Sequence, residues 1–148
     1  MARLIMVYAS MTGNTLDMAE AIVEGINEQE EVVMKDVIEV HADELENYDG
    51  ILLGAYTWGD GDLPDEFIDF YEEMNQINLK GKKAAVFGSC DSAYEQVGAA
   101  VDILIQKLID QGAEVILEGL KIELTPTEED KEICRQFGRD FILHFDKK

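Results

Sequence analysis

The sequence predicts a three-layer α/β protein built on a five-stranded parallel sheet in the order 2-1-3-4-5, with helices on both faces. Three observations carry that expectation. Short apolar runs without polar alternation, as in strands covered on both faces, take turns with apolar residues at helical spacing from one end of the chain to the other. No low-complexity linker or internal repeat interrupts them. The length of 148 residues suits one core, since folding at this size buries roughly 70% of the extended chain's surface. A single domain over residues 1–148 is therefore expected.

Strands are read at residues 4–8, 32–34, 51–55, 84–88 and 115–117, all buried. Ala19, Ile22, Val23 and Ile26 mark the first helix, Phe67, Phe70, Tyr71 and Met74 the second, and Val97, Ala100, Val101, Leu104 and Leu108 the third. Each set gives one apolar face to lay on the sheet. Residues 38–47 are polar without a clear period and read as a short helix or a loop. Cys134, Phe137, Phe141 and Phe145 form the stripe of a last helix, and Thr125-Pro126-Thr127-Glu128 reads as its capping box with proline at the first helical position. Parallel strands joined by helices cross over right-handedly, and the order 2-1-3-4-5 is a common small solution.

The formal net charge is -20, unevenly spread: residues 1–74 hold 2 Lys/Arg against 19 Asp/Glu. Such a field repels nucleic acid and anionic lipid and attracts basic protein surfaces; solubility alone is the plainer reading. No run approaches the roughly 20 apolar residues of a membrane span, and the first apolar run is too short for a signal peptide. A cytoplasmic location is expected. Cys90 and Cys134 are far apart, with no Cys-x-x-Cys pair, so neither a disulfide framework nor a zinc site is expected. His41 and His144 read as isolated surface or helix-end residues.

In this sheet order strands one, three and four are neighbours, and their carboxyl-terminal loops, near residues 9–15, 55–63 and 89–95, meet where open α/β sheets bind ligands. The first loop, Ser10-Met11-Thr12-Gly13-Asn14-Thr15, runs from a strand into a helix. Backbone N–H groups at a helix start, with hydroxyls beside them, make a phosphate site; a helix cap and a turn would use the same residues. No Lys or Arg occurs from Leu4 through Val33, so neutral dipoles would do the holding, and the lysine of a nucleotide-hydrolysing P-loop is missing. The second loop holds Tyr56-Thr57-Trp58-Gly59-Asp60-Gly61-Asp62, with the chain's one tryptophan. A large aromatic in a loop covers either a ligand or the sheet end as a lid. A calcium loop fits less well, because Pro64 interrupts the ligand spacing. The third loop, Gly88-Ser89-Cys90-Asp91-Ser92-Ala93-Tyr94-Glu95, includes a Ser92/Glu95 capping box and adds a second aromatic, Tyr94. Two stacking faces and a phosphate site describe a flat mononucleotide.

Together these three loops resemble the flavodoxin family over essentially the whole chain. The resemblance is to the short-chain type, since the fifth strand leads through Ile122 to Thr125 without a long insertion. It implies a low-potential one-electron carrier with non-covalent FMN, passing between quinone, neutral semiquinone and anionic hydroquinone. It implies that Ser10, Met11, Thr12, Gly13, Asn14 and Thr15 bind the FMN phosphate, Met11 through its N–H. Trp58 and Tyr94 would stack on the flavin, while backbone of Gly59, Asp60, Cys90 and Asp91 meets its polar edge; Thr57 and Ser89 complete the cofactor-binding set. The Gly59-Asp60 peptide would flip to offer the Gly59 carbonyl to N5–H, glycine sparing the roughly 1 to 2 kcal/mol that a Cβ would add at positive φ.

The resemblance implies no catalytic residue, no metal and no substrate conversion. Its partners would be basic redox proteins, with a flavin or iron-sulfur reductase as donor and redox enzymes as acceptors. These would dock briefly on a monomer at the seven acids between Asp60 and Glu73, which face no Lys or Arg in that stretch. Two other readings were weighed. An FMN-dependent NAD(P)H oxidoreductase would need a nicotinamide site, and the chain has no Gly-x-Gly-x-x-Gly fingerprint. A phosphoacceptor signalling module would need an aspartate at the end of the third strand, where Gly54-Ala55 stands.

Overall fold

The structure is a computed structural model that describes residues 3–9, 13–27, 31–56, 63–90, 99–123 and 126–144. Along the chain lie β1 (Leu4–Tyr8), α1 (Asn14–Ile26), β2 (Val32–Asp36), β3 (Gly50–Gly54), α2 (Asp65–Glu73), β4 (Lys83–Cys90), α3 (Ala99–Asp110), β5 (Glu114–Val115), β6 (Leu120–Glu123) and α4 (Glu128–Leu143). Short 3-10 turns cover Val37–Glu39, Ala42–Asn47 and Met74–Gln76. Among the described residues no helix is long and apolar enough to cross a membrane.

The strand order is β2-β1-β3-β4-β5, as the sequence predicts. Every pairing is parallel, and Tyr8 of β1 stands level with Asp36 of β2 on one side and Gly54 of β3 on the other. Alternation within each strand distributes side chains to two cores. Leu4, Met6, Leu52, Ala85 and Phe87 pack with Met18 and Ile22 of α1 and Cys134, Phe137 and Phe141 of α4. Ile5, Val7, Ile51, Leu53, Ala84 and Val86 pack on the opposite face, with Phe67 and Phe70 of α2 and Val101, Leu104 and Leu108 of α3. Three layers result, and burial rather than propensity holds each helix.

The two helices of the first face approach until glycine is required. A Cβ on Gly25 would stand 2.1 Å from the Arg135 carbonyl oxygen, and one on Gly138 would stand 2.2 Å from that of Ile22. Nothing in the periodicity announced this contact. Cys134 is wholly buried among these side chains, and burial pushes its thiol up to about 12. It packs as a small apolar group and is protonated at neutral pH.

Three expectations about the elements change. The second strand is not buried: β2 is half exposed along its length, with Val33 at 39%, because it forms the rim of the sheet and pairs only with β1. The fifth strand is split. β5 pairs with Lys83 and Ala84, and β6 pairs with the run from Phe87 to Cys90, four residues later in the chain. Gly119 lies between them against Val101 and Ile105 of α3, where a Cβ would meet Val101 at 2.5 Å. The cap of α4 moves two residues along: Thr127 Oγ1 accepts the Asp130 N–H at 3.1 Å, and Asp130 Oδ2 accepts the Thr127 N–H at 2.9 Å. Pro126 sits just before this reciprocal pair, and three acids in the first turn suit the positive end of the helix. The stretch 38–47, read as a short helix or a loop, is covered by two 3-10 turns, carried by buried Val37, Val40, Ala42 and Leu45. Val97 and Phe145 lie outside the described residues.

His41 is not isolated. Its Nδ1 lies 3.2 Å from Glu73 Oε2, while Glu73 Oε1 accepts the Ala42 N–H at 3.0 Å. One carboxylate thereby ties the 37–47 segment to the end of α2. The hydrogen bond and charge of Glu73 raise His41 above its ordinary value, with Asp43 and Glu44 adding to the effect. Glu73 is lowered, first by the Ala42 N–H and then by His41. The clasp's histidine contribution is present below His41's ordinary value of 6.5 and fades as pH rises through its raised one. Glu73's contribution is present above 4.5 and fades as pH falls through its lowered value. His41→Gln should therefore lower Tm at pH 5.5 and have little effect at pH 9, whereas Glu73→Ala should lower it at both, because it also removes the acceptor of the Ala42 N–H. A pH-independent His41→Gln effect in thermal melts would refute the ion pair. His144 caps the end of α4, and its carbonyl accepts from Lys83 Nζ at 2.7 Å.

Candidate cofactor site

The carboxyl ends of β1, β3 and β4 lie side by side, and each leads into one of the three loops singled out in the sequence. The ladder continues beyond the strands: the Ala9 N–H donates to the Gly54 carbonyl at 2.9 Å, and the Ala55 N–H to that of Phe87 at 3.2 Å. The loop origins are thus tied by backbone hydrogen bonds. Gly88 permits the closest approach, since a Cβ there would stand 2.1 Å from the Ala55 carbonyl oxygen. Gly54 likewise lies against the Phe87 ring.

At the start of α1, Gly13 occupies the N-cap with φ 92, a left-handed conformation that costs other residues roughly 1 to 2 kcal/mol. A Cβ there would meet nothing within 4 Å, so the backbone angle and not crowding selects glycine. The helix begins at Asn14, and Thr15 turns inward. Thr15 Oγ1 and Ser89 Oγ lie 2.9 Å apart, at 1% and 7% exposure, joining the first turn of α1 to the end of β4. Two residues chosen separately from the sequence meet here, 74 positions apart. Each hydroxyl keeps capacity for a further bond after this one. Cys90 ends β4 beside Ser89.

Of the remaining sequence candidates, Ser10, Met11, Thr12, Thr57, Trp58, Gly59, Asp60, Asp91 and Tyr94 lie outside the described residues, as does the Ser92/Glu95 capping box. The described flanks of the second loop are firmly set. Leu63 and Pro64 are buried, and the Tyr56 hydroxyl donates to Glu66 Oε1 at 2.7 Å across the loop's base. Burial first, then the hydrogen bond to Glu66, and after it the charges of Glu66 and Asp65, push the Tyr56 phenol far above its ordinary value, so it stays a donor. No pattern in the sequence pointed to this pair. Glu66 and Glu73 are consequently engaged with the fold, and exposed Asp65, Asp69 and Glu72 form the open acidic face of α2.

A phosphate-like anion held by neutral dipoles fits what is described: a helix start presented by a left-handed glycine, paired hydroxyls, and no Lys or Arg from Leu4 through Val33. Among the described residues no group of His, Cys, Asp and Glu could hold a metal ion.

Comparison with known proteins agrees with this geometry. The family model described as flavodoxin matches residues 6–138. The crystal structure of oxidised flavodoxin 1 from Bacillus cereus is 60% identical, with TM-score 0.95, over 97% of this chain and 99% of that one. A flavodoxin of Maridesulfovibrio salexigens is 40% identical over 88% of this chain and 92% of its own length. A short-chain flavodoxin associated with a bacterial microcompartment is 30% identical, with TM-score 0.91, over 97% of this chain and 99% of that one. A parallel sheet in this order, the glycine-led helix at its edge and a family match over most of the length converge: this chain belongs to the flavodoxin family of FMN-binding electron carriers, and to its short-chain type.

Proposed function

We propose that this chain is a low-potential one-electron carrier with non-covalently bound FMN, and not a substrate-converting enzyme. The observation that carries the reading is the junction of three loop origins at adjacent strand ends, closed by the Thr15–Ser89 hydroxyl pair. FMN, when bound, supplies one-electron redox chemistry at its ring. The chain's own groups do the rest. Ser10, Met11, Thr12, Gly13, Asn14 and Thr15 hold the phosphate by backbone N–H groups and hydroxyls at the start of α1. Trp58 and Tyr94 cover the ring and exclude water, while Thr57, Gly59, Asp60, Ser89, Cys90 and Asp91 line its polar edge. The Gly59 carbonyl would accept a hydrogen bond at the flavin's N5, in a peptide orientation that glycine would adopt at low cost.

The protein's charge of -20, with no cation from Leu4 through Val33, would disfavour further negative charge on a bound FMN by Coulomb repulsion and so would hold its potential low. Donors and acceptors would be basic redox proteins, a flavin or iron-sulfur reductase on one side and redox enzymes on the other, meeting a cytoplasmic monomer. Nucleic acid and membranes are repelled by the same field. The test is reconstitution with FMN followed by anaerobic stepwise photoreduction. Wild type should pass through a blue one-electron-reduced form, and Gly59→Val should show at most about half that yield, the strained backbone no longer meeting N5. Negligible FMN affinity would sink the carrier reading, equal yields would sink the role of Gly59, and rapid NADPH oxidation by pure holoprotein would make the chain an enzyme.

A further inference from the structure

Among the described residues Ile38 is the most exposed large apolar side chain, at 74%. A solitary exposed isoleucine is ordinary, but three features set this one apart. Its backbone is fixed: Val37 and Val40 are buried on either side of it, and Asp36 Oδ1 accepts the Ile38 N–H at 3.1 Å. The side chain is thus presented without the ordering cost that a mobile loop would bring to an interface. Its position is telling too. The turn follows Asp36, which stands level with Tyr8, and Tyr8 with Gly54, so Ile38 sits at the end of the sheet where the cofactor loops begin.

The third feature is charge. Asp36 and Glu39 flank Ile38, and with Glu20 they are near enough to raise the Tyr8 phenol, whose burial contributes most. α2, which packs against this turn, exposes Ile68 among Asp65, Asp69 and Glu72. The neighbouring cation, Lys35, faces Glu44 at 3.8 Å.

We infer that Ile38 is the apolar anchor of a docking face for basic redox proteins, rimmed by Asp36, Glu39 and the exposed acids of α2. This deepens the electron-carrier reading and rests on it. An apolar centre within a polar rim is the anatomy of a protein interface. The rim governs encounter and its salt dependence, and the anchor governs dwell time. A second copy, also at -20, and an anionic bilayer are both repelled; a basic surface with a shallow apolar recess is the complement.

The test uses mitochondrial cytochrome c, a basic haem protein, as acceptor in stopped-flow oxidation of the photoreduced holoprotein across ionic strengths. Ile38→Ser should raise the half-saturating acceptor concentration about tenfold at every salt concentration, as loss of one buried apolar side chain predicts, and Ile38→Leu should restore most of it. Glu39→Gln should instead flatten the salt dependence. FMN affinity and reduction potentials should not move in any of these variants. Ile133→Ser, on the exposed face of α4 at 50% exposure, is the control. The inference is overturned if Ile38→Ser behaves like that control, if its loss tracks a loss of FMN affinity, or if wild type sediments as a dimer that Ile38→Ser dissociates. A wild-type protein that takes up no FMN would sink the carrier reading first, and this inference with it.

Discussion

Gly138→Val is expected to leave too little folded protein to purify, and Gly138→Ala and Gly25→Ala to lose about 3 kcal/mol or more each, at the upper end of overpacking costs. The reason is what the new methyl would strike. At both positions a Cβ falls within 2.1 to 2.2 Å of a carbonyl oxygen in the facing helix. A side chain could rotate aside, but a helical backbone cannot. α1 and α4 would have to part along their whole contact, loosening Met18, Ile22, Phe137 and Phe141 together. A total stability of typically 5 to 15 kcal/mol leaves little room for that. Urea unfolding with and without FMN is the measurement, because bound ligand adds its own stabilisation. A loss under about 1 kcal/mol for either alanine variant would mean that the helices do not meet this closely.

Gly88→Ala is expected to fold and to weaken FMN binding at least about tenfold. Its Cβ would press on the Ala55 carbonyl oxygen at 2.1 Å and on Val101 at 2.8 Å. Ala55 opens the second loop, so relief of the clash moves the β3 exit away from the β4 exit. In the proposed site Trp58 and Tyr94 leave from those two exits, and a displacement of 1 Å can cost 10²-fold where groups must converge. Flavin fluorescence titration gives the Kd, and the folded fraction of Gly25→Ala, destabilised elsewhere, should bind within about threefold of wild type. An unchanged Kd for folded Gly88→Ala would show that the two loop origins tolerate separation.

Much of this architecture was legible because apolar runs in a covered sheet carry little ambiguity. Leu4–Tyr8 is the first strand at the bounds read from its residues, and the helix faces from Ala19 to Ile26 and from Phe67 to Met74 are where periodicity put them. Failures came where a rule has two solutions or a partner lies far off. Thr125/Glu128 and Thr127/Asp130 are both capping spacings, and nothing local in the sequence chooses between them. Val32 to Met34 reads as buried by composition, although a rim strand has a neighbour on one side alone. Of the site, the meeting of three loop origins was legible, because the strand order alone sets the ends of β1, β3 and β4 side by side. Thr15 and Ser89 were found as candidates without their mutual bond, and Glu66 and Glu73 were counted as free acids, because such pairings exist only after the chain has folded.

The open rim at β2 has a bearing on how crowded solutions of this protein behave. Its outward backbone groups offer a template on which a strand from another molecule could add, the usual first step of sheet-to-sheet aggregation. Glu31 and Asp36 bracket that rim, in the more acidic half of the chain. Two molecules approaching edge to edge bring like charges together before any hydrogen bond can form, so carboxylates guard a border that other folds cover with a helix.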